Sequence, residues 1–245
     1  VVKRFGGRTV VDVADLSLGR HGIEGLIGPN GAGKTTLMNL ITQKLRLDAG
    51  SIQFSATGDG CVDLAGMPID RVARLGLVKT NQVIRDFDGL TIRDSLLLSL
   101  AAARHERFYR LASESRLRRE TEAAIARYLD YFHFDDPDGC ALSAGEKKLL
   151  DIIRCLLVKP RLLLMDEPTA GLPADQTRRV MDLMIRKAAD EGVAIVIVEH
   201  DLDLIWEVCE HVHFMADGQI LVQGSPAEIR ASRIVSEKYL GSSDA

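Results

Sequence analysis

Gly28-Pro29-Asn30-Gly31-Ala32-Gly33-Lys34-Thr35 matches the pattern G-x-x-x-x-G-K-[ST] at every fixed position. Glycines in such a run let successive backbone N–H groups turn inward around phosphate oxygens, and a helix opening at Lys34 adds the positive end of its dipole. This chemistry assigns Lys34 to the β- and γ-phosphates of a nucleotide and the Thr35 hydroxyl to its Mg²⁺. The flanks fit. Residues 23–27 read as a short apolar strand, and residues 34–44 as a helix with Leu37, Leu40 and Ile41 on one face. A strand, a glycine-rich loop and a helix are the setting a phosphate-binding loop requires.

Outward from this loop, residues 9–18 alternate apolar and polar side chains as in a half-buried strand, and residues 52–54 and 75–78 read as further strands. The texture then changes. Residues 91–134 are rich in Leu, Ala, Arg and Glu with helical spacing at Ile125, Leu129 and Phe132, and a turn at Asp135-Asp136-Pro137-Asp138-Gly139 closes the segment. We read residues 91–142 as a helical subdomain inserted into a core made of residues 1–90 and 143–245. Beyond it, helices over 146–158, 175–189 and 202–209 alternate with strands over 162–165 and 193–198, and a hairpin over 212–215 and 220–222 follows. The near-continuous apolar strands 162–165 and 193–198 suit a parallel sheet covered on both faces.

Two more segments carry chemistry. Leu162-Leu163-Leu164-Met165 ends in Asp166-Glu167, so Asp166 at the carboxyl end of a buried strand can hold Mg²⁺ through water, and Glu167 can orient or deprotonate an attacking water. Leu142-Ser143-Ala144-Gly145-Glu146 precedes an amphipathic helix. Ser143 and Glu146 form a capping box on the plainest reading, and a capped helix start is still an anion site.

The order of these segments, with Gln82 after the strand ending at Val78 and before the helical subdomain, and His200 after residues 193–199, resembles the ATP-binding-cassette ATPases over nearly the whole chain. The resemblance implies an α/β P-loop core with a mainly parallel sheet, an N-terminal antiparallel β portion and an inserted helical subdomain. It implies ATP and Mg²⁺ as ligands, with residues 28–35 and Thr36 as the Walker A loop, Asp166 ending Walker B, and Glu167 as the catalytic glutamate. Gln82 matches the Q-loop glutamine, near both the metal and the attacking water, and His200 the switch histidine. Residues 143–146 match the signature segment, and Phe5 is placed like the aromatic that stacks on adenine. Ala144 and Glu146 depart from the usual glycine and glutamine, and Pro173 lies where the D-loop carries an aspartate, which a proline cannot replace.

The family further implies two subunits packed head to tail, each ATP lying between one subunit's residues 28–35 and the other's residues 143–145, with transmembrane permease subunits as partners and an indirect link to a substrate-binding protein. Gly224-Ser225-Pro226-Ala227-Glu228-Ile229 with Tyr239-Leu240-Gly241 is most similar to the ATPase subunits of branched-chain amino acid and urea or amide importers. The competing readings are a soluble ATPase of the same fold in translation or DNA maintenance, and a non-hydrolysing regulatory module. Intact Lys34, Asp166, Glu167 and His200 oppose the last.

Composition narrows the remaining classes. With 245 residues, 46% hydrophobic and 27% charged, the chain has an ordinary globular profile, and its net charge of -4 offers no global positive field to a nucleic acid. Its apolar runs are too short to span a bilayer; the resemblance implies instead a peripheral subunit at the cytoplasmic face of a membrane. No charged cap and apolar run open the chain, so no signal peptide is expected at its start. Four scattered cysteines read as reduced thiols. His21, His105 and His133 join no ligand cluster, and His211 and His213, alternating on a strand, are expected at a solvent-facing edge.

Overall fold

The computed structural model describes residues 1–55, 60–80, 89–103, 111–134, 136, 138–139 and 142–240. The chain opens with β1 (Val2–Phe5), β2 (Arg8–Asp12), β3 (Ile23–Ile27) and α1 (Lys34–Ile41), followed by β4 (Gln53–Ser55), β5 (Cys61–Asp63), α2 (Ile69–Arg74) and β6 (Leu77–Lys79). Two helices come next, α3 (Ile92–Ala103) and α4 (Leu111–Phe132). The second half runs α5 (Ala144–Leu157), β7 (Leu162–Asp166), α6 (Ala174–Glu191), β8 (Ala194–Val198), α7 (Leu202–Val208), β9 (His211–Ala216), β10 (Gln219–Gly224), α8 (Pro226–Ala231) and α9 (Arg233–Leu240). None of the helices among the described residues is long and apolar enough to cross a membrane.

Six strands form the central sheet in the order β10-β9-β3-β8-β7-β6, parallel except for the β9–β10 hairpin. The period of two along each strand sends alternate side chains to opposite faces. Leu163, Met165, Ile195 and Ile197 enter one core with residues of α3, α4, α5 and α6, while Leu162, Leu164, Val196 and Val198 enter a second with Leu37, Met38 and Leu40 of α1. A strand covered on both faces has no polar side to offer, which is why residues 162–165 and 193–198 read as unbroken apolar runs. β1 with β2, and β4 with β5, form separate antiparallel hairpins. The expected strand over 9–18 stops at Asp12, whose N–H leaves the hairpin for the Gly218 carbonyl at 2.8 Å.

α4 is fastened to α6 through Tyr131, whose hydroxyl donates to the Arg179 carbonyl at 2.9 Å while the Arg179 guanidinium donates to the Tyr131 carbonyl at 2.8 Å. Arg186 donates to the same hydroxyl at 2.5 Å and lies over the ring, 4.8 Å from its centroid.

His213 corrects the edge reading. β10 lies outside β9, so β9 is an interior strand and His213 is 1% exposed. Its Nε2 lies 3.1 Å from Glu24 Oε2 and its Nδ1 2.9 Å from Gln223 Oε1. Glu24 Oε1 accepts the N–H groups of Arg20 and His21 at 2.9 and 3.0 Å. Burial acts to raise the Glu24 pKa, but the bond from His213 and the backbone donors outweigh it and hold the carboxyl below its ordinary 4.5. A carboxyl depressed in the folded state stabilises the protein above its unfolded pKa, and that contribution is lost as pH falls through the lower folded value. Glu24→Ala, which strands His213 in the core, should therefore cost about 3–5 kcal/mol at neutral pH. In urea unfolding the gap between wild type and variant should narrow as the pH is taken below 4.5. A gap independent of pH would show that the carboxylate charge contributes nothing there.

Candidate functional site

Four parallel strands lie side by side in the order β3-β8-β7-β6, so their carboxyl ends open on one edge of the sheet. Open α/β sheets bind ligands at that edge. The loop at residues 28–33 leaves β3, Glu199 and His200 leave β8, Asp166 ends β7 with Glu167 next, and Lys79 ends β6.

The glycines of the loop meet steric demands that other residues cannot. A Cβ on Gly28 would lie 1.9 Å from the Met215 carbonyl oxygen, and one on Gly33 2.7 Å from that of Val10. Gly31 and Gly33 have φ of 78° and 103°, and Gly33 begins α1 without a side-chain cap. No acidic residue occupies the first turn of α1. The N–H groups that open this helix therefore face the loop without a side-chain cap at Gly33 and without an acid in the turn, the arrangement that receives an anion.

Lys34 is 7% exposed and its ammonium donates across the loop to the carbonyls of Gly28 at 2.6 Å and Pro29 at 3.0 Å. Burial pulls its pKa below the ordinary value, opposed by the negative charges of Glu167 and Asp166. Thr35 Oγ1 lies 3.4 Å from Asp166 Oδ1. Asn30 and Gly31 are exposed, Ala32 is buried, and Thr36 sits half-buried in the first turn of α1.

Glu167 has φ of 51°, a left-handed conformation that a non-glycine residue adopts at a cost of about 1 kcal/mol or more. Its neighbours hold it there. Its N–H donates to the Val198 carbonyl at 2.9 Å and its own carbonyl accepts Lys148 Nζ at 2.7 Å. The side chain points to His200, with Glu167 Oε1 3.0 Å from His200 Nε2.

Residues 143–146 form the N-terminus of α5 with both halves of a capping box: Glu146 N–H donates to Ser143 Oγ at 3.2 Å, and Ser143 N–H donates to Glu146 Oε2 at 2.9 Å. Ala144 and Gly145 follow in the first turn. Phe5 is exposed on β1 with Lys3 Nζ 5.3 Å from its ring centroid. The structure thus brings together Gly28, Pro29, Lys34, Thr35, Asp166, Glu167 and His200, while Phe5 and residues 143–146 enter none of these hydrogen bonds. Gln82 lies outside the described residues. Pro173 caps α6 with extended backbone.

Three charged residues at this edge, Lys79, Lys148 and Glu199, escaped the sequence reading. Lys79 pairs with Asp166 Oδ2 at 2.9 Å. Lys148 also donates to the Ala170 carbonyl at 2.8 Å, fastening α5 to the loop after β7. Glu199, 5% exposed, accepts Thr169 N–H at 2.8 Å and Thr169 Oγ1 at 2.6 Å. A charged residue placed at the end of an apolar strand was the available signal for Lys79 and Glu199. The described cysteines are free thiols, and burial, with Glu24 and Glu210 adding to it, pushes Cys209 up to about 12, so it is unreactive.

Thr35 Oγ1 and Asp166 offer the hard oxygen donors that Mg²⁺ takes. Among the described residues no group of three or more His, Cys, Asp or Glu could hold a metal ion alone. A cation here would complete its shell with nucleotide oxygens and water, which is how Mg²⁺ binds in phosphoryl-transfer sites.

A family model described as ABC transporter matches residues 11–170. The high-affinity branched-chain amino acid transport ATP-binding protein BraF of Pseudomonas aeruginosa is 30% identical over 245 residues, spanning 97% of this chain and 94% of its own. LivG of Salmonella typhimurium, of the same description, is 31% identical over 252 residues, spanning 98% and 95%. The crystal structure of a nucleotide-free ATP-binding cassette from an ABC transporter superposes with a TM-score of 0.78 at 27% identity, covering 98% of this chain and 96% of that one. Fold and matches together define an α/β ATPase cassette. The chain belongs to the ABC transporter family.

The Gly28 contact yields a test. Gly28→Ala must displace backbone at Met215, and overpacking of that kind costs about 1–3 kcal/mol. Urea unfolding should show this loss together with weakened nucleotide binding. An unchanged midpoint would mean that β9 yields freely.

Proposed function

We propose that this chain is the ATP-binding and hydrolysing subunit of a membrane importer, carrying branched-chain amino acids or urea and amides, and that it works as one half of a head-to-tail ATPase dimer attached to the cytoplasmic side of transmembrane permease subunits. The observation that carries the reading is the uncapped start of α1, with buried Lys34 spanning the loop, beside the Asp166-Glu167-His200 group. The names of BraF and LivG, together with the tail residues 224–229 and 239–241, support the amino acid cargo.

Each residue then has a task. The N–H groups of residues 28–35 and the Lys34 ammonium bind the phosphates, with Lys34 exchanging carbonyl partners for phosphate oxygens. Thr35 and Asp166 would hold Mg²⁺, which when bound neutralises charge on the β- and γ-oxygens. Glu167 accepts a proton from the attacking water, and the water's oxygen bonds to the γ-phosphorus as the bond to the ADP oxygen breaks. His200, 3.0 Å from Glu167 Oε1, orients that carboxylate. Ser143 to Glu146, carried on a capped helix start, would face the phosphates bound by the partner subunit, and Phe5 the adenine. Gln82 would join the metal site to the permease-facing surface.

Glu167→Gln separates binding from chemistry. The variant should keep its ATP affinity, lose about 10²-fold or more in phosphate release, the share expected of a general base, and accumulate as an ATP-dependent dimer in size-exclusion chromatography. Near-normal phosphate release removes Glu167 from the role of base.

A further inference from the structure

Asp166 carries a carboxylate whose side chain is 0% exposed, and a buried charge requires a partner. Its partner is Lys79 at the end of β6, itself only 10% exposed, whose ammonium donates to Asp166 Oδ2 at 2.9 Å and to Asn39 Oδ1 of α1 at 3.1 Å. The other lysines of the site are directed elsewhere: Lys34 to the carbonyls of Gly28 and Pro29, Lys148 to those of Glu167 and Ala170. Strand register fixes the pair. Lys79 stands opposite Leu164 in the parallel ladder, and Asp166 N–H is bonded to Thr80 Oγ1 at 3.1 Å, so the two side chains leave adjacent strand ends together.

The two oxygens of Asp166 are differently engaged. Oδ2 is occupied by the ammonium, while Oδ1 faces Thr35 Oγ1 at 3.4 Å, too long for a strong bond. We propose that Lys79 is the resident counter-cation of Asp166: a positioning residue that anchors the carboxylate through Oδ2 before any divalent cation arrives and weakens the site's hold on that cation once it does. This rests on the reading of Thr35 and Asp166 as the metal-holding pair.

The sign follows from charge. Lys34 and Lys79 balance Asp166 and Glu167, so a metal-free site is neutral over these four groups, and removing the Lys79 charge leaves a net negative centre beside Thr35. Without metal, that centre is an unpaired buried carboxylate and destabilises the protein. With metal, the same carboxylate attracts the cation more strongly because no ammonium competes. A purely structural lysine would move stability alone.

Lys79→Gln, which keeps donors for Asn39 and Asp166 while removing the charge, tests this on the full chain with Mn²⁺ as the probe in saturating ADP. The melting temperature in EDTA should fall by several degrees, and the Mn²⁺ dissociation constant from titration calorimetry should fall by roughly threefold to tenfold. Lys79→Arg should restore both, and in an Asp166→Asn background Lys79→Gln should tighten Mn²⁺ binding by clearly less than it does in the wild-type background. If Lys79→Gln fails to fold, Asn39→Asp competes for the ammonium without removing it and should tighten Mn²⁺ binding in the same direction. Unchanged or weaker Mn²⁺ binding alongside a lower melting temperature overturns the proposal and leaves Lys79 a structural residue. A wild-type chain that binds ADP but no Mn²⁺ overturns the metal reading of Thr35 and Asp166 itself.

Discussion

The parallel pairing of β7 with β8 is the constraint on which the site depends. Asp166 stands opposite Val198 at the end of that ladder, and the next N–H, that of Glu167, still reaches back to the Val198 carbonyl at 2.9 Å. That final bond turns the chain. It places Glu167 in a left-handed conformation and aims its carboxylate at His200, two residues beyond Val198. A slip of one residue would send Leu163 and Met165 to the opposite core and turn Asp166 away from Thr35. The apolar alternation that makes the two cores is thus also what locates the acidic groups.

Charge at this edge is organised rather than merely concentrated. Three lysines, Lys34, Lys79 and Lys148, face three carboxylates, Asp166, Glu167 and Glu199, and much of the contact is indirect. Lys34 and Lys148 spend their protons on backbone carbonyls, so they fix loops while their charge still offsets nearby acids. Burial lowers the pKa of both, and neighbouring acids oppose the shift in each. Lys148 joins α5 to the carbonyls of Glu167 and Ala170, so the helix that opens with Ser143 cannot shift without pulling on the strained backbone at Glu167.

The loop at residues 28–35 and the run ending in Asp166 were legible in the sequence because each rests on a local rule: glycine where the backbone passes a carbonyl, and unbroken apolar residues where a strand has two covered faces. The parallel sheet followed from the same rule. Residues 225–228 offered a readable signal that went unused as structure, since Ser225 and Glu228 form a capping box with Pro226 in the first turn of α8. β5 and α2 were too short to show a period. His213 was misplaced because strand order is not local: nothing near it in sequence shows that β10 covers β9 or that Glu24, 189 positions away, supplies its partner. Lys79 carried a local signal, a charge ending an apolar strand, but its pairing was not legible because its partner lies 87 positions away.

Two buried acids at opposite ends of the parallel strands show what distinguishes a staple from a site. Glu24, near the amino end of β3, has both oxygens engaged by the fold: Oε1 takes two backbone N–H groups and Oε2 the His213 ring. Asp166, at the carboxyl end of β7, is equally hidden from solvent, yet one of its oxygens has only a hydroxyl at 3.4 Å. A carboxylate has about four lone-pair positions, so the oxygen that faces a hydroxyl keeps acceptor capacity that Glu24 Oε1, with two backbone donors, has already used. The fold uses its acid as a staple at one end of the sheet and holds its acid beside a hydroxyl at the other, and that second end is also where the uncapped helix α1 and the glycine loop lie.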